Sequence, residues 1–378
     1  MVTEHTAETA DEGRTVMSRT PRRAKTALAA LLALAGLAGA VACSSASSAT
    51  SAAGTPADTT SSTPSGTASG TAALQPLRIA LDWTPNVDFL GIYAAISNGY
   101  FAKEGINPVI IPYSGTPGET LLSAGKADLA FTYPPNIPAY RASGLKYRAV
   151  AGLAQVNTIE IAVLKSSPYT SPAQLSGQLY GGFGVPSDPP ILKAVMAKAG
   201  AKNPVYKEVV LSTSAYQALA SKRVAYSVMF GGVDDVTAEL QGAQLRLFPI
   251  RNYLGEAASF PDDSLAATDA EIANNSSVLR RGLAALAEGY IWSAKHPAQA
   301  EQILINENKA ALDHSQNIIV ATGNATAPTF LNAVGQWGSL SDASFAGVTQ
   351  LMAAGGLFKG KTPPSASDDY TNSLLPQG

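Results

Sequence analysis

Leu77-Arg78-Ile79-Ala80-Leu81-Asp82-Trp83-Thr84-Pro85-Asn86 is the stretch on which the fold turns. Leu77 to Leu81 has the apolar, branched composition of a buried strand, and Asp82 to Asn86 has the chemistry of a turn. A helical pattern follows from Val87 to Asn98 and stops at Gly99. Strand, polar turn and helix in succession make the repeating unit of an α/β sheet. Such sheets present ligands beyond the carboxyl ends of their strands. Trp83 therefore sits where a ligand would, flanked by Asp82, Asn86 and Asp88. The alternative for Trp83 is an aromatic core plug, which a loop position between Asp and Thr-Pro disfavours.

Working outward, short apolar runs bounded by turn residues predict further strands. They cover Val109–Tyr113, Leu129–Thr132, Tyr147–Leu153, Ile159–Leu164, Leu179–Gly182, Val205–Val210, Tyr226–Met229, Leu245–Pro249 and Ser264–Thr268. Helical patterns fall between them, as at Pro189–Ala199, and the alternation predicts a largely parallel sheet covered on both faces. After Thr268 only helices are predicted: Ser276–Lys295, Pro297–Asn306, Ala325–Trp337 and Asp342–Ala354. Proline cannot continue a helix, so His296-Pro297 divides the first two. Leu121 to Phe131 and Ala218 to Val228 look alike, each a helix end, a basic turn and a hydrophobic strand. The likeness suggests two lobes of similar topology.

Other strand ends supply further candidates. Tyr133 is pinned by Pro134-Pro135, and Gln155 follows the fourth strand. Gly181-Gly182-Phe183-Gly184-Val185-Pro186-Ser187-Asp188 joins a strand to a helix, where glycines admit close backbone approach and free N–H groups suit an acceptor. Ser187 or Asp188 serves there either as a helix cap or as a ligand contact. Phe230-Gly231-Gly232-Val233-Asp234-Asp235 holds the matching place later, with the same two readings for Asp234 and Asp235.

At the other end of the chain, Arg22, Arg23 and Lys25 precede an uncharged Ala/Leu run from Thr26 to Ala42. The run is short for a membrane span and reads as a secretory signal over residues 1–42. Cys43, the sole cysteine, excludes an intrachain disulfide and resembles the acylated cysteine of bacterial lipoproteins. Residues 43–76 are otherwise nearly all Ser, Thr, Ala, Gly and Pro, a tether of roughly 30 Å root-mean-square span. Without residues 1–42 the net charge is about −3, which argues against nucleic acid. After the signal only His296 and His314 remain, with no companion at metal-ligand spacing, so no metal or cofactor is expected. Nucleophile–base sets lack their histidine, so no catalytic residue is assigned.

Leu-Asp-Trp-x-Pro-Asn at 81–86, Gly-Tyr-Phe-x-x-Glu-Gly at 99–105, Gly125-Lys126-Ala127-Asp128, Phe260-Pro261 before a strand, and the helix pair over Ala284–Gln302 together resemble one family. It is the periplasmic binding proteins of the nitrate, sulfonate, taurine and thiamine-pyrimidine group, closest to the pyrimidine-precursor branch related to hydroxymethylpyrimidine phosphate synthase. The resemblance implies a type II, two-lobed fold with a ligand cleft and a helical C-terminal region packed on the first lobe. By that analogy lobe I is 77–166 plus 262–378 and lobe II is 167–261. Asp82, Trp83, Asn86, Asp88, Tyr133 and Gln155 would line the cleft from one side, and Phe183, Ser187, Asp188, Phe230, Asp234 and Asp235 from the other. It further implies a monomeric solute-binding lipoprotein at the outer face of the membrane, serving an ABC permease and ATPase by hinge closure. The branch commonly has a His/Thr-rich stretch after the Asn, where this chain has Val87-Asp88-Phe89-Leu90. A sulfonate-type, nitrate-type or sensory binding protein and a pyrimidine-forming enzyme are the alternatives. The enzyme's histidine and cysteine-rich segment have no counterpart here.

Overall fold

The computed structural model describes residues 73–211 and 214–377, so the expected signal, Cys43 and nearly all of the tether lie outside the described residues. The strands are β1 Gln75–Ala80, β2 Ile106–Ile111, β3 Leu129–Thr132, β4 Tyr147–Gly152, β5 Ile159–Leu164, β6 Leu179–Gly182, β7 Lys207–Val210, β8 Tyr226–Phe230, β9 Leu245–Pro249 and β10 Ser264–Thr268. They form two five-stranded sheets, β2-β1-β3-β10-β4 and β7-β6-β8-β5-β9. In the first sheet β2, β1 and β3 run parallel, and β10 is antiparallel to both β3 and β4. The second sheet repeats this, with β7, β6 and β8 parallel and β5 antiparallel to β8 and β9.

Each antiparallel strand is the one by which the chain enters its sheet from the other lobe. That entry explains why the sheets are mixed where alternation alone suggests a parallel one. It also moves β5 from lobe I, where the expected boundary at 166/167 puts it, into lobe II. The crossovers are residues 153–158 and 250–263. The two look-alike stretches end in β3 and β8, which occupy equivalent third places in their sheets.

Lobe I is backed by long helices. Leu90–Ser97 and Ser276–Lys295 cross at closest approach, since a Cβ added to Gly289 would lie 2.2 Å from the Gly91 carbonyl oxygen, and one on Gly91 would strike the Tyr290 ring. Only glycine fits there. Leu77, Ile79, Phe89, Phe131, Tyr290 and Trp337 fill the core beneath.

Two expectations for the C-terminal region change. No helix spans Ala325–Trp337: one helix occupies Gln316–Thr326, a 3₁₀ turn occupies Ala327–Phe330, and Trp337 then pairs with Leu331 in a β-bridge. Pro328 breaks the pattern, and Gly335 and Gly338 take left-handed φ values of 78° and 89°. Nor does this region pack on lobe I alone. Phe345 of the Asp342–Ala354 helix joins the lobe I core, whereas Val348, Met352 and Phe358 join that of lobe II.

Candidate ligand cleft

The turn after β1 carries Trp83, and the turn after the equivalent β6 carries Phe183. The two rings meet edge to face, 5.3 Å between centroids, while Trp83 also stacks on Tyr113 at 5.4 Å. Trp83 remains 38% and Phe183 41% exposed, far from the burial of a core plug. The trio is an aromatic wall drawn from both lobes.

The turn that carries Trp83 also begins a cluster of carboxylates. Burial and then the charges of Asp82, Asp262 and Asp234 push the Asp88 carboxyl up to about 8. Burial raises the carboxyls of Asp82 and Asp263, which lie beside each other, and the charge of Asp82 raises Asp263 further. Burial lifts Asp234 to about 6 and Asp262 to about 7, the latter eased by Thr158, whose N–H and hydroxyl donate to it at 2.7 and 2.5 Å. Lobe I supplies Asp82 and Asp88, lobe II supplies Asp234, and the second crossover supplies Asp262 and Asp263. Arg251 is the cation that acts on Asp262.

Several elements fix this array. Tyr290 Oη donates to the Asp88 carbonyl at 2.8 Å, and the indole of Trp337 stacks on Tyr290, 4.9 Å between centroids and 4° from parallel. Tyr133 packs edge to face on Phe260 of the crossover, 5.7 Å away, and feels the charges of Asp188 and Asp262. In lobe II, Tyr180 Oη donates to Asp188 Oδ2 at 2.8 Å, and burial lifts that carboxyl to about 7. Phe230 is exposed at the end of β8, and its N–H donates to Asp234 at 2.9 Å.

Four expected site residues are occupied elsewhere. Asn86 is spent on its own turn, with Oδ1 accepting from Asp88 N at 2.8 Å and Nδ2 donating to Thr84 O at 3.2 Å. Asp235 takes the N–H groups of Gly232 and Val236 and borders a separate cavity at Lys165, Glu239 and Leu247. Gln155 lines another cavity, of about 380 Å³, with Glu256, Ser259 and Ser339 to Ser341. Ser187 is fully buried, makes no cap bond, and donates its hydroxyl to Asn136 Oδ1 at 2.8 Å in the opposite lobe. Residue-type reasoning missed Tyr113, Asn136, Asp262 and Asp263. Tyr113 lies two residues beyond β2, which stops at Ile111, so the strand-end rule reaches it once that boundary is right. Asp262-Asp263 stands before β10, whose antiparallel course brings its amino end beside the carboxyl ends of β3 and β4.

Two mixed α/β lobes whose equivalent turns close on one another define the periplasmic-binding-protein fold. The NMT1/THI5-like family profile matches residues 86–300, more than half of the chain, and the protein belongs to that family, as the motifs around Trp83 imply. It is 28% identical over 251 residues to the formylaminopyrimidine-binding protein of Halalkalibacterium halodurans, covering 63% of this chain and 72% of the relative. Among solved structures, the periplasmic aliphatic sulphonate binding protein SsuA from Escherichia coli superposes with a TM-score of 0.59 at 18% identity, over 79% of this chain and 99% of that one. The ligand-binding component of an ABC-type import system from Staphylococcus aureus gives 0.60 at 14% identity, over 79% and 97%. These neighbours establish the fold.

Proposed function

We propose that the protein is the extracytoplasmic solute-binding component of an ABC importer, capturing a flat, donor-bearing heterocycle of the aminopyrimidine kind and presenting it to a permease. The meeting of Trp83 and Phe183 across the lobes, with Trp83 on the same turn as Asp82, whose charge acts on Asp88 and Asp263, carries this reading. Aromatic faces suit a planar ring, with about 1 kcal/mol per stacked pair beyond area burial. Carboxylates accept from ring-bound amines. Closure about residues 153–158 and 250–263 would complete the contacts, so ligand shifts the open–closed balance. The similarity to a formylaminopyrimidine-binding protein supports the ligand class. A sulfonate anion would meet repulsion from the ionised members of this cluster. The protein is read as a carrier and not an enzyme, monomeric, and held to the outer membrane face through a lipid on Cys43.

Thermal-shift titration of the full chain carrying Cys43→Ser against aminopyrimidines, amines, sulfonates and nitrate tests the ligand. Stabilisation by aminopyrimidines is expected; stabilisation by sulfonates alone overturns the assignment. Fractionation of cells expressing Cys43→Ser should move the protein out of the membrane pellet, and retention there would refute the anchor.

A further inference from the structure

A helix-capping position in lobe II is put to an unusual use. Ser187 precedes the Asp188–Lys198 helix, where a serine hydroxyl ordinarily accepts a backbone N–H, yet it makes no such bond. Its hydroxyl donates instead to Asn136 Oδ1, at the start of the Asn136–Ala142 helix of lobe I. Behind Asn136 stands Glu119, which accepts from Thr132 Oγ1 at 2.5 Å and lies close enough to the Asn136 side chain for that amide to favour its ionised form. Ser187, Asn136 and Glu119 are 0%, 5% and 6% exposed, so while the lobes touch no bulk water competes for these groups.

Both partners lose by parting. With Ser187 withdrawn, Asn136 keeps a buried acceptor that must find water, and Ser187 recovers only the local cap. Glu119 matters because the Asn136 amide is two-faced. A carboxylate on its N–H₂ side turns the carbonyl oxygen toward lobe II, where a hydroxyl donor waits.

We propose that Ser187 and Asn136 form a latch that holds the lobes closed, with Glu119 as the positioning residue that orients it, so that the free protein already populates the closed state. The latch rests on the hinge reading given above and not on the identity of the ligand. It is a buried polar contact between the lobes, separate from the partly exposed aromatic contact of Trp83 and Phe183.

The test is a spin-label distance measurement on the full chain carrying Cys43→Ser, with no ligand added. Labels go at Lys126→Cys in lobe I and Lys202→Cys in lobe II, both exposed. Two distances are expected. The closed-to-open ratio should fall about three- to tenfold in Ser187→Ala and in Asn136→Ala, the range of one net hydrogen bond. The double variant should fall no further, because one bond is lost in each case. Ser187→Thr, which keeps the hydroxyl, should restore most of the ratio, and Glu119→Ala should lower it less than Asn136→Ala does. Two distances with a ratio unchanged in Ser187→Ala and Asn136→Ala would overturn the latch and leave the hinge intact. A single distance in every variant would overturn the hinge itself, and the latch with it.

Discussion

Lobe I and lobe II share one strand order, yet they brace the turns that carry Trp83 and Phe183 by different means. In lobe I the turn after β1 is braced from behind: Tyr290 holds the Asp88 carbonyl, Trp337 backs Tyr290, and Gly289 lets the Ser276–Lys295 helix press against Leu90–Ser97. In lobe II the turn after β6 is braced by its own neighbours: Tyr180 holds Asp188, and Glu208 accepts from the Gly184 N–H at 2.9 Å. The first arrangement is a packed core and the second a set of polar contacts. Lobe I contributes Asp82, Asp88 and two of the three wall rings, and lobe II contributes Phe183, Asp234 and the latch hydroxyl.

Breaking the helix brace should have the largest effect. Gly289→Ala drives a methyl into the Gly91 carbonyl, an overpacking cost of about 3 kcal/mol, and calorimetry should show a melting temperature lower by several degrees. An unchanged melting temperature would show that the crossing has slack. Trp83→Ala should leave melting of the free protein nearly unchanged while weakening ligand about thirtyfold in calorimetric titration, and Phe183→Ala should cost less because that ring meets Trp83 by its edge. Equal losses would make the two walls equivalent.

The third contrast is in pH. Because the Asp88 carboxyl rises from 3.8 unfolded to about 8 folded, its contribution to stability is complete below about pH 4 and is lost as the pH climbs through 8. Asp88→Asn should thus raise the melting temperature at pH 9 and leave it alone at pH 4; the opposite order would place Asp88 outside the acid cluster. A ligand that donates to the Asp88 carboxylate should bind more weakly as the pH falls below about 8, by at most about tenfold per unit. Tyr180→Phe is the smallest change, about 1 kcal/mol from one hydrogen bond, and hydrogen exchange at Asp188–Leu192 should rise without a comparable change near Asp88.

The strands were legible because each is a short apolar run closed by turn residues, and β3, β5, β6, β9 and β10 keep the expected ends. What local pattern does not carry is which sheet a strand joins. Nothing within Ile159–Leu164 distinguishes a strand that stays in lobe I from one that crosses, because both are buried between neighbours. The same holds for Ser187, where the sequence offers a cap and the fold offers a better partner 51 residues away. That Trp83 stands outside the core was readable from its turn, whereas the local bonds of Asp235 and Asn86 were not, since turn-forming side chains and ligand-binding ones share the same chemistry.

The route of β10 has a consequence for how the chain is made. Its place lies between β3 and β4, yet it comes after the whole of lobe II in sequence. Until residues 264–268 emerge, β3 and β4 face a gap, each with a row of unpaired backbone groups. A nascent chain that stops short of Ser264 cannot complete its first sheet, so lobe I waits on the synthesis of all of lobe II for its closing strand.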